Sequence, residues 1–406
     1  MNSNPKNIII FGPIRSGKTL IGRALNMHPR ISVQQEPFFF FFKLCRNIFS
    51  RDVLGNSFDP NQPIGTGFCE PSDSKRLFAR EFSRLSFNEA DIEELKKLTI
   101  WQQETAGSER APEIIPLVDR LKPGSTVDVL RDLIDILAMS YGGDGGDDVD
   151  YSGFTEAWCD EFISLLFSLD KLKFKCVHAI RDPRAIIASR NAGRNLQKYG
   201  DKYPLLFLIR HWRKSVAYSI MNKDNPDYLM VRYEDLVNSP REWFEKICDH
   251  LGVQFSENLM HPEKYVNGSG ELWKQNTSYA PGSGFSRESL EKWKELLPDD
   301  VTAMIEYLCE AEMSYLGYKP IKGKAKLSQI ASFKENEEEI IDWLKKYNLT
   351  VNEHEIQLEL VRDYLLNETN LLNAEIKNLF FISEKVHDTL TAQSPTGDAS
   401  ERSCLQ

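Results

Sequence analysis

The chain has 406 residues, 41% hydrophobic and 27% charged, an ordinary globular composition with length for a large core and more than one domain. Its 60 acidic side chains against 50 basic ones leave a formal charge of −10, which argues against nucleic acid as the main partner. No apolar run approaches membrane-spanning length, residues 1–6 are too polar for a secretory signal, and the 7 cysteines never form C-x-x-C, so a cytoplasmic chain with reduced thiols and no membrane contact is expected.

Residues 7–11 (NIIIF) form a short β-branched run, the pattern of a buried parallel strand. Helical periodicity resumes at residues 18–27 through Leu20, Ile21, Ala24 and Leu25. Between them, Gly12-Pro13-Ile14-Arg15-Ser16-Gly17-Lys18-Thr19 satisfies the phosphate-loop pattern G-x-x-x-x-G-K-S/T. A strand, a glycine loop and a helix N-terminus aim their N–H groups at one point, which favours an anion there.

Glu36 and Pro37 then precede five consecutive phenylalanines, Phe38 to Phe42. The run reads equally as core packing or as the aromatic wall of an acceptor pocket, with Pro37 holding the junction extended. Residues 51–141 carry amphipathic patterns at 89–98 and 114–121, where a substrate-covering insertion would sit. The Gly/Asp-rich stretch 142–148 lacks the alternating ligands of a calcium loop and reads as solvated.

Residues 174–180 (FKCVHAI) read as a second buried strand, ending in Arg181-Asp182-Pro183-Arg184 before a helix. Residues 228–231 read as a third, followed by Arg232-Tyr233-Glu234-Asp235-Leu236. Ser239-Pro240-Arg241-Glu242 predicts a capping box with proline at the first helical position, and Gly252 a stop. Alternating strands and helices imply a three-layer α/β fold, a doubly wound parallel sheet with ligands at the strands' carboxyl ends. Arg15, Arg181 and Tyr233 all fall at such ends.

Residues 268–284 are rich in Gly, Ser, Asn and Pro and read as a long irregular loop. Residues 289–296 and 298–315 read as helices, the second stopped by Gly317. Three parts are expected: a domain over 1–320 with an insertion at about 51–141, a helical C-terminal extension over 321–393, and a disordered tail over 394–406. The apolar stripes of the extension need a partner surface, either the core of the same chain or a second copy in a homodimer.

Three separated motifs give the chain its resemblance to sulfotransferases that take a sulfuryl group from 3′-phosphoadenosine 5′-phosphosulfate (PAPS). Arg15-Ser16-Gly17 with Thr19-Leu20 and then His28-Pro29 is similar to the family's loop for the 5′-phosphosulfate. Arg181-Asp182-Pro183-Arg184 with Ser189 resembles its 3′-phosphate site. Arg232-Tyr233-Glu234-Asp235-Leu236-Val237 before Ser239-Pro240 is typical of these enzymes, with Tyr233 placed beside the adenine. A weaker likeness runs from Leu290-Glu291-Lys292-Trp293 to Leu316-Gly317-Tyr318. The resemblance spans residues 7–320 and leaves the extension outside.

The resemblance implies in-line transfer of SO₃ from PAPS to a hydroxyl or amine of a small-molecule acceptor, releasing PAP without a metal. Glu36 stands where tyrosylprotein-type and many carbohydrate-type members place a base, with His178 and His211 as fallbacks. Arg15 and Lys18 would neutralise charge on the leaving phosphate. The cofactor-binding set it implies is Arg15, Ser16, Gly17, Lys18, Thr19, Leu20, Arg181, Ser189, Tyr233, Ser278 and Lys292. Two departures stand out. Lys18 replaces the usual threonine, and Thr155, within Ser152-Gly153-Phe154-Thr155-Glu156, stands where members commonly have lysine. Two rival readings remain. One is an ATP-dependent P-loop kinase using Lys18, Thr19 and a strand-end Asp182 for Mg²⁺. The other is a non-catalytic nucleotide-binding scaffold, favoured by the missing lysine.

Overall fold

In the computed structural model five parallel strands form the central sheet: β1 (Lys6–Gly12), β2 (Ile31–Gln35), β3 (Tyr151–Ala157), β4 (Phe174–Ile180) and β5 (Tyr228–Arg232), in spatial order β2-β3-β1-β4-β5. The structure describes residues 6–56, 59, 61–70, 72–105, 111–141, 149–169, 171–266, 271–273, 284–321, 327–347, 352–367 and 373–392. The 142–148 stretch, most of the 268–284 loop including Ser278, and the tail from 394 lie outside them.

Alternation along β1 divides the core into two layers. Ile9 and Phe11 pack with Phe42, Leu130 and Phe162 on one face, and Ile8 and Ile10 pack with Leu20, Ile21 and Phe244 on the other. The first layer is built by α2 (Phe39–Asp52), α3 (Glu89–Thr105) and α4 (Thr126–Tyr141), and the second by α1 (Lys18–Leu25) and a later helix over Pro240–Leu251. A third apolar cluster gathers around α5 (Pro183–Asn191) and α6 (Leu205–Asn222). The fold is therefore α/β with a parallel sheet covered on both faces. No helix among the described residues is long and apolar enough to cross a membrane.

Several expectations change in detail. β2 and β3 were not legible as strands, because ISVQQ and YSGFTEA mix polar residues into buried positions. The five phenylalanines divide: Phe38, Phe41 and Phe42 are sealed in the core, while Phe39 and Phe40 line a cavity. Ser239 makes no side-chain cap, so Pro240 alone opens its helix, and Gly252 closes it in the left-handed conformation with φ 70°. The expected 298–315 helix breaks at Cys309 into Asp299–Leu308 and Glu310–Tyr315.

The C-terminal helices spend their apolar stripes within the chain. Phe381, Val386 and Leu390 are buried in the same cluster as Ile209 and Val216 of α6. Glu359, on the helix Glu353–Asn367, takes a 2.7 Å bond from Arg210 Nε and a 2.9 Å bond from Arg213 Nη2, and Arg362 pairs with Glu312. Burial alone would raise the Glu359 carboxyl, but Arg213 and Arg210 outweigh it and hold it at about 2.

Candidate active site

Strand order reverses direction at β1 and β4, so the crevice beyond their carboxyl ends is where a doubly wound sheet binds ligands. The loop after β1 fills it. Gly12 has φ 147°, and a Cβ there would sit 2.1 Å from the Ala179 carbonyl oxygen of β4. Gly17 has φ 100°, and a Cβ there would meet the Tyr233 ring at 2.4 Å. Both glycines are demanded by close approach as well as by backbone conformation. The first intrahelical bond of α1 runs from Ile21 N–H to Gly17 O, so the N–H groups of Lys18, Thr19 and Leu20 have no helical acceptor. Leu20 turns its side chain into the core, leaving its backbone alone for a ligand.

Four residues from distant segments converge on this loop. Arg15, strained at φ 61°, donates from Nε to Ser189 Oγ at 2.8 Å. Arg181 donates to the Arg15 carbonyl at 3.2 Å and to the Ser289 carbonyl at 2.7 Å. Its guanidinium lies 4.3 Å from the centroid of Tyr233, whose hydroxyl is 3.0 Å from Ser289 Oγ. Ser189 is thus held by Arg15 rather than by Arg181. Lys292 is engaged by Glu295 at 3.0 Å and Glu288 at 3.8 Å, and its helical segment meets the cluster through Ser289 instead. No sequence signal had singled out Ser289. The Ser16 hydroxyl and Arg181 Nε are buried without a hydrogen-bond partner, which fits a cradle built for an anion. Glu234 ties the two strand ends together, accepting from Asp182 N–H at 2.9 Å and from the Tyr318 hydroxyl at 2.7 Å.

Lys18 links the loop to a second region. Its side chain is 4% exposed, and Nζ reaches back to donate to the Pro13 carbonyl at 2.8 Å, 3.9 Å from Glu36 Oε1. Burial pulls its pKa down, with the Glu36 carboxylate the largest opposing influence. Glu36 itself sits at φ 44° just beyond β2, a conformation that costs energy for a non-glycine residue and persists only when its surroundings over-determine it. They do so here. Its N–H donates to the Thr155 carbonyl at 3.0 Å and to Thr155 Oγ1 at 3.2 Å, its carbonyl accepts from Gln102 Nε2, and the nearby Phe38 N–H is taken by Glu156. Burial, and then Glu36, push the Glu156 carboxyl well above its usual range. Thr155 therefore leaves no vacancy where a lysine is expected: it is fully buried and fixes the backbone of Glu36.

Glu36 and Glu156 line a cavity of about 410 Å³ whose other walls are mostly aromatic, among them Phe39, Phe40, Trp101, Trp158, Tyr203 and Trp343. His211 also lines it, edge-on to Trp158 at 4.5 Å, and burial followed by Lys214 lowers its pKa to about 3, so it stays neutral. His178 is fully buried among Asp160, Ser215 and Tyr228, away from the cavity walls.

An anion cradle at the switch point is joined through one lysine to a small-molecule-sized cavity with a carboxylate at the junction, a geometry in which a group on a bound anion could meet a second molecule. Comparison with known proteins shows what the chain is similar to. Residues 153–257 match the model described as Sulfotransferase family. Mouse carbohydrate sulfotransferase 1 is 27% identical over 178 residues, covering 40% of this chain and 43% of that protein. Mouse carbohydrate sulfotransferase 4 is 20% identical over 362 residues, covering 79% of this chain and 84% of that one. The sulfotransferase domain of the Synechococcus PCC 7002 olefin synthase is 20% identical with a TM-score of 0.41, over 73% of this chain and 90% of that domain. The family model thus covers about a quarter of the chain, and neither of these curated relatives exceeds 27% identity. The chain spans less than half the length of the first curated relatives it matches. The matched stretch contains the Arg181 and Tyr233 motifs, while the phosphate loop and Glu36 lie before it.

Proposed function

We propose that the protein transfers a sulfuryl group from PAPS to a hydroxyl or amine of a small acceptor, in the cytoplasm and without a metal. The observation that carries this reading is the convergence of Arg15, Ser189, Arg181 and Tyr233 on the loop, next to a cavity that Glu36 shares. The orphaned Ser16 hydroxyl and Arg181 Nε, with the free N–H groups of α1, support an anionic occupant. PAPS, when bound, supplies the sulfuryl group. The chain's own residues hold and orient: the loop and α1 grip the 5′ end, Arg181, Ser189 and Arg15 the 3′-phosphate, and Tyr233 the base. Lys18 neutralises charge between the two halves, and Glu36 takes the acceptor proton on its carboxylate.

The cavity volume lies in the range of small-molecule sites, which favours a small acceptor over a polymer. The relatives' names record carbohydrate sulfotransferases, so a saccharide of small size belongs in any screen. The kinase reading has less support, because both carboxylate oxygens of Asp182 are taken by Arg184, at 2.9 and 3.0 Å on Oδ1 and 2.7 Å on Oδ2. Thermal-shift measurements with PAP, PAPS, ADP and ATP–Mg²⁺ test the proposal. PAP and PAPS at a hundred times their Kd should each stabilise the fold by ~2.7 kcal/mol without metal. A shift seen only with ATP–Mg²⁺ overturns it.

A further inference from the structure

One wall of the cavity comes from the C-terminal extension, far outside the stretch that matches the family. Trp343 lines the cavity and packs edge-on to Tyr203, ring centroids 6.2 Å apart at 88°. The segment carrying it is fastened at both ends. On one side, Lys202 N–H donates to the Glu339 carbonyl at 2.7 Å, Ile341 N–H donates back to the Lys202 carbonyl at 2.9 Å, and Leu205 N–H is taken by Glu335. On the other, Lys346 Nζ and the Tyr347 hydroxyl both bond Asp59 Oδ2, at 2.7 and 2.9 Å. Asp59 lies just before Pro63 and Ile64, which also line the cavity. Ile340 and Leu344 are buried and anchor the segment from beneath, yet Trp343 between them remains 42% exposed.

A large indole held half-exposed by tethers on both sides costs ordering entropy and exposed apolar surface, and the core gains little from it. Resting on the sulfotransferase reading, we propose that residues 335–347 form a strap that sets acceptor choice, with Trp343 stacking on the flat, apolar body of the acceptor whose hydroxyl or amine meets Glu36. The wall chemistry selects that class. Rings and aliphatic groups make up most of the lining, and its polar side chains Glu36, Lys43, Gln102, Glu156 and His211 are too few to pair every hydroxyl of a polyhydroxylated molecule. The tethers described above run to Lys202, Tyr203, Leu205 and Asp59, none of them in the anion cradle, so donor affinity should not depend on the strap.

The test uses the full chain with saturating PAP and two probes, 2-naphthol and methyl β-galactoside, titrated by calorimetry. The wild type should bind 2-naphthol in preference to the galactoside. Trp343→Ala should raise the Kd of 2-naphthol by about tenfold, the loss of one aromatic partner and its buried area, while the Kd of PAP stays unchanged. Trp343→Phe should restore most of the affinity. With PAPS, the acceptor KM should move and kcat should not. Unchanged 2-naphthol affinity in Trp343→Ala overturns the proposal, and so does a parallel loss of PAP affinity, which would mark Trp343 as structural. A wild type that binds PAP but prefers the galactoside, or binds neither probe, also overturns it. Failure to bind PAP at all rejects the sulfotransferase reading itself.

Discussion

The two halves of the site are built in opposite ways. The anion cradle is assembled from the ends of adjacent parallel strands: a loop after β1, an arginine after β4 and a tyrosine after β5. Each contribution is short, contiguous and fixed by the sheet. The cavity draws single residues from helices, loops and the C-terminal extension, and hydrogen bonds between distant segments hold its one exposed carboxylate in a strained backbone. A site of the first kind has its shape set by the sheet. A site of the second kind can change its occupant by changing one segment, which suits the acceptor side of the proposed reaction.

The largest expected effect lies where the halves meet. Glu36→Gln should lower turnover by ~10²–10⁴ while leaving PAP affinity unaltered, measured by single-turnover kinetics and calorimetry. Near-normal turnover would move the base elsewhere, with His211 next in line because it lines the same cavity and stays neutral. Lys18→Thr should cost ~10²–10³ in turnover with a modest loss of PAP binding, since the lysine spans both halves. Adding Thr155→Lys should not rescue it, because residue 155 is buried and its hydroxyl holds the Glu36 backbone. Recovery in the double variant would show that the two halves are less tightly wired than the contacts imply.

A smaller effect should be confined to the cradle. Arg181→Ala is expected to weaken PAP by roughly ten- to a hundredfold, the worth of a charged hydrogen bond, and 5′-AMP far less. Equal losses for both ligands would remove its 3′-phosphate role. The smallest effect should appear on the cavity side in acid. The Glu359 carboxyl is held at about 2, below its ordinary 4.5, so its stabilisation is present above 4.5 and is lost as pH falls toward 2. Its partners Arg210 and Arg213 lie on the helix that also carries Phe207 and His211 to the cavity. Hydrogen-exchange protection, corrected for the intrinsic rate at each pH, should therefore fall from pH 5 to pH 3 over residues 353–367 and 373–391 more than over β1 and α1. A uniform fall would erase the distinction between the halves.

The same contrast governs what could be read from the sequence. β1, β4 and β5 announce themselves because their apolar residues outnumber the polar ones in a short run, and the residues that follow them fall at the ligand-binding edge. The structure brings Arg15, Arg181, Ser189 and Tyr233 together as that logic requires. β2 and β3 stayed hidden because their buried positions hold Ser32, Gln34, Ser152, Thr155 and Glu156. Gln102, Thr155 and Ser289 act through hydrogen bonds to segments 66 or more positions away, which no local pattern records. Trp343 sits in a Lys/Glu-rich stretch that reads as an appendage until its tethers to Lys202 and Asp59 are seen.

The central place of β1 also bears on how the chain is made. Its neighbours on either side, β3 and β4, begin at Tyr151 and Phe174, well over a hundred residues further along the chain, so Ile8, Ile9 and Ile10 leave the ribosome with nothing to pair against. At ~5–20 residues per second that interval is on the order of ten to thirty seconds. Throughout it, a bare apolar strand with two open edges is the kind of segment that sticks to other nascent chains. The anion loop cannot take its shape until Ala179 of β4 has emerged, and the cavity wall waits for Trp343. The loop side of the site is thus completed before the aromatic wall of the cavity.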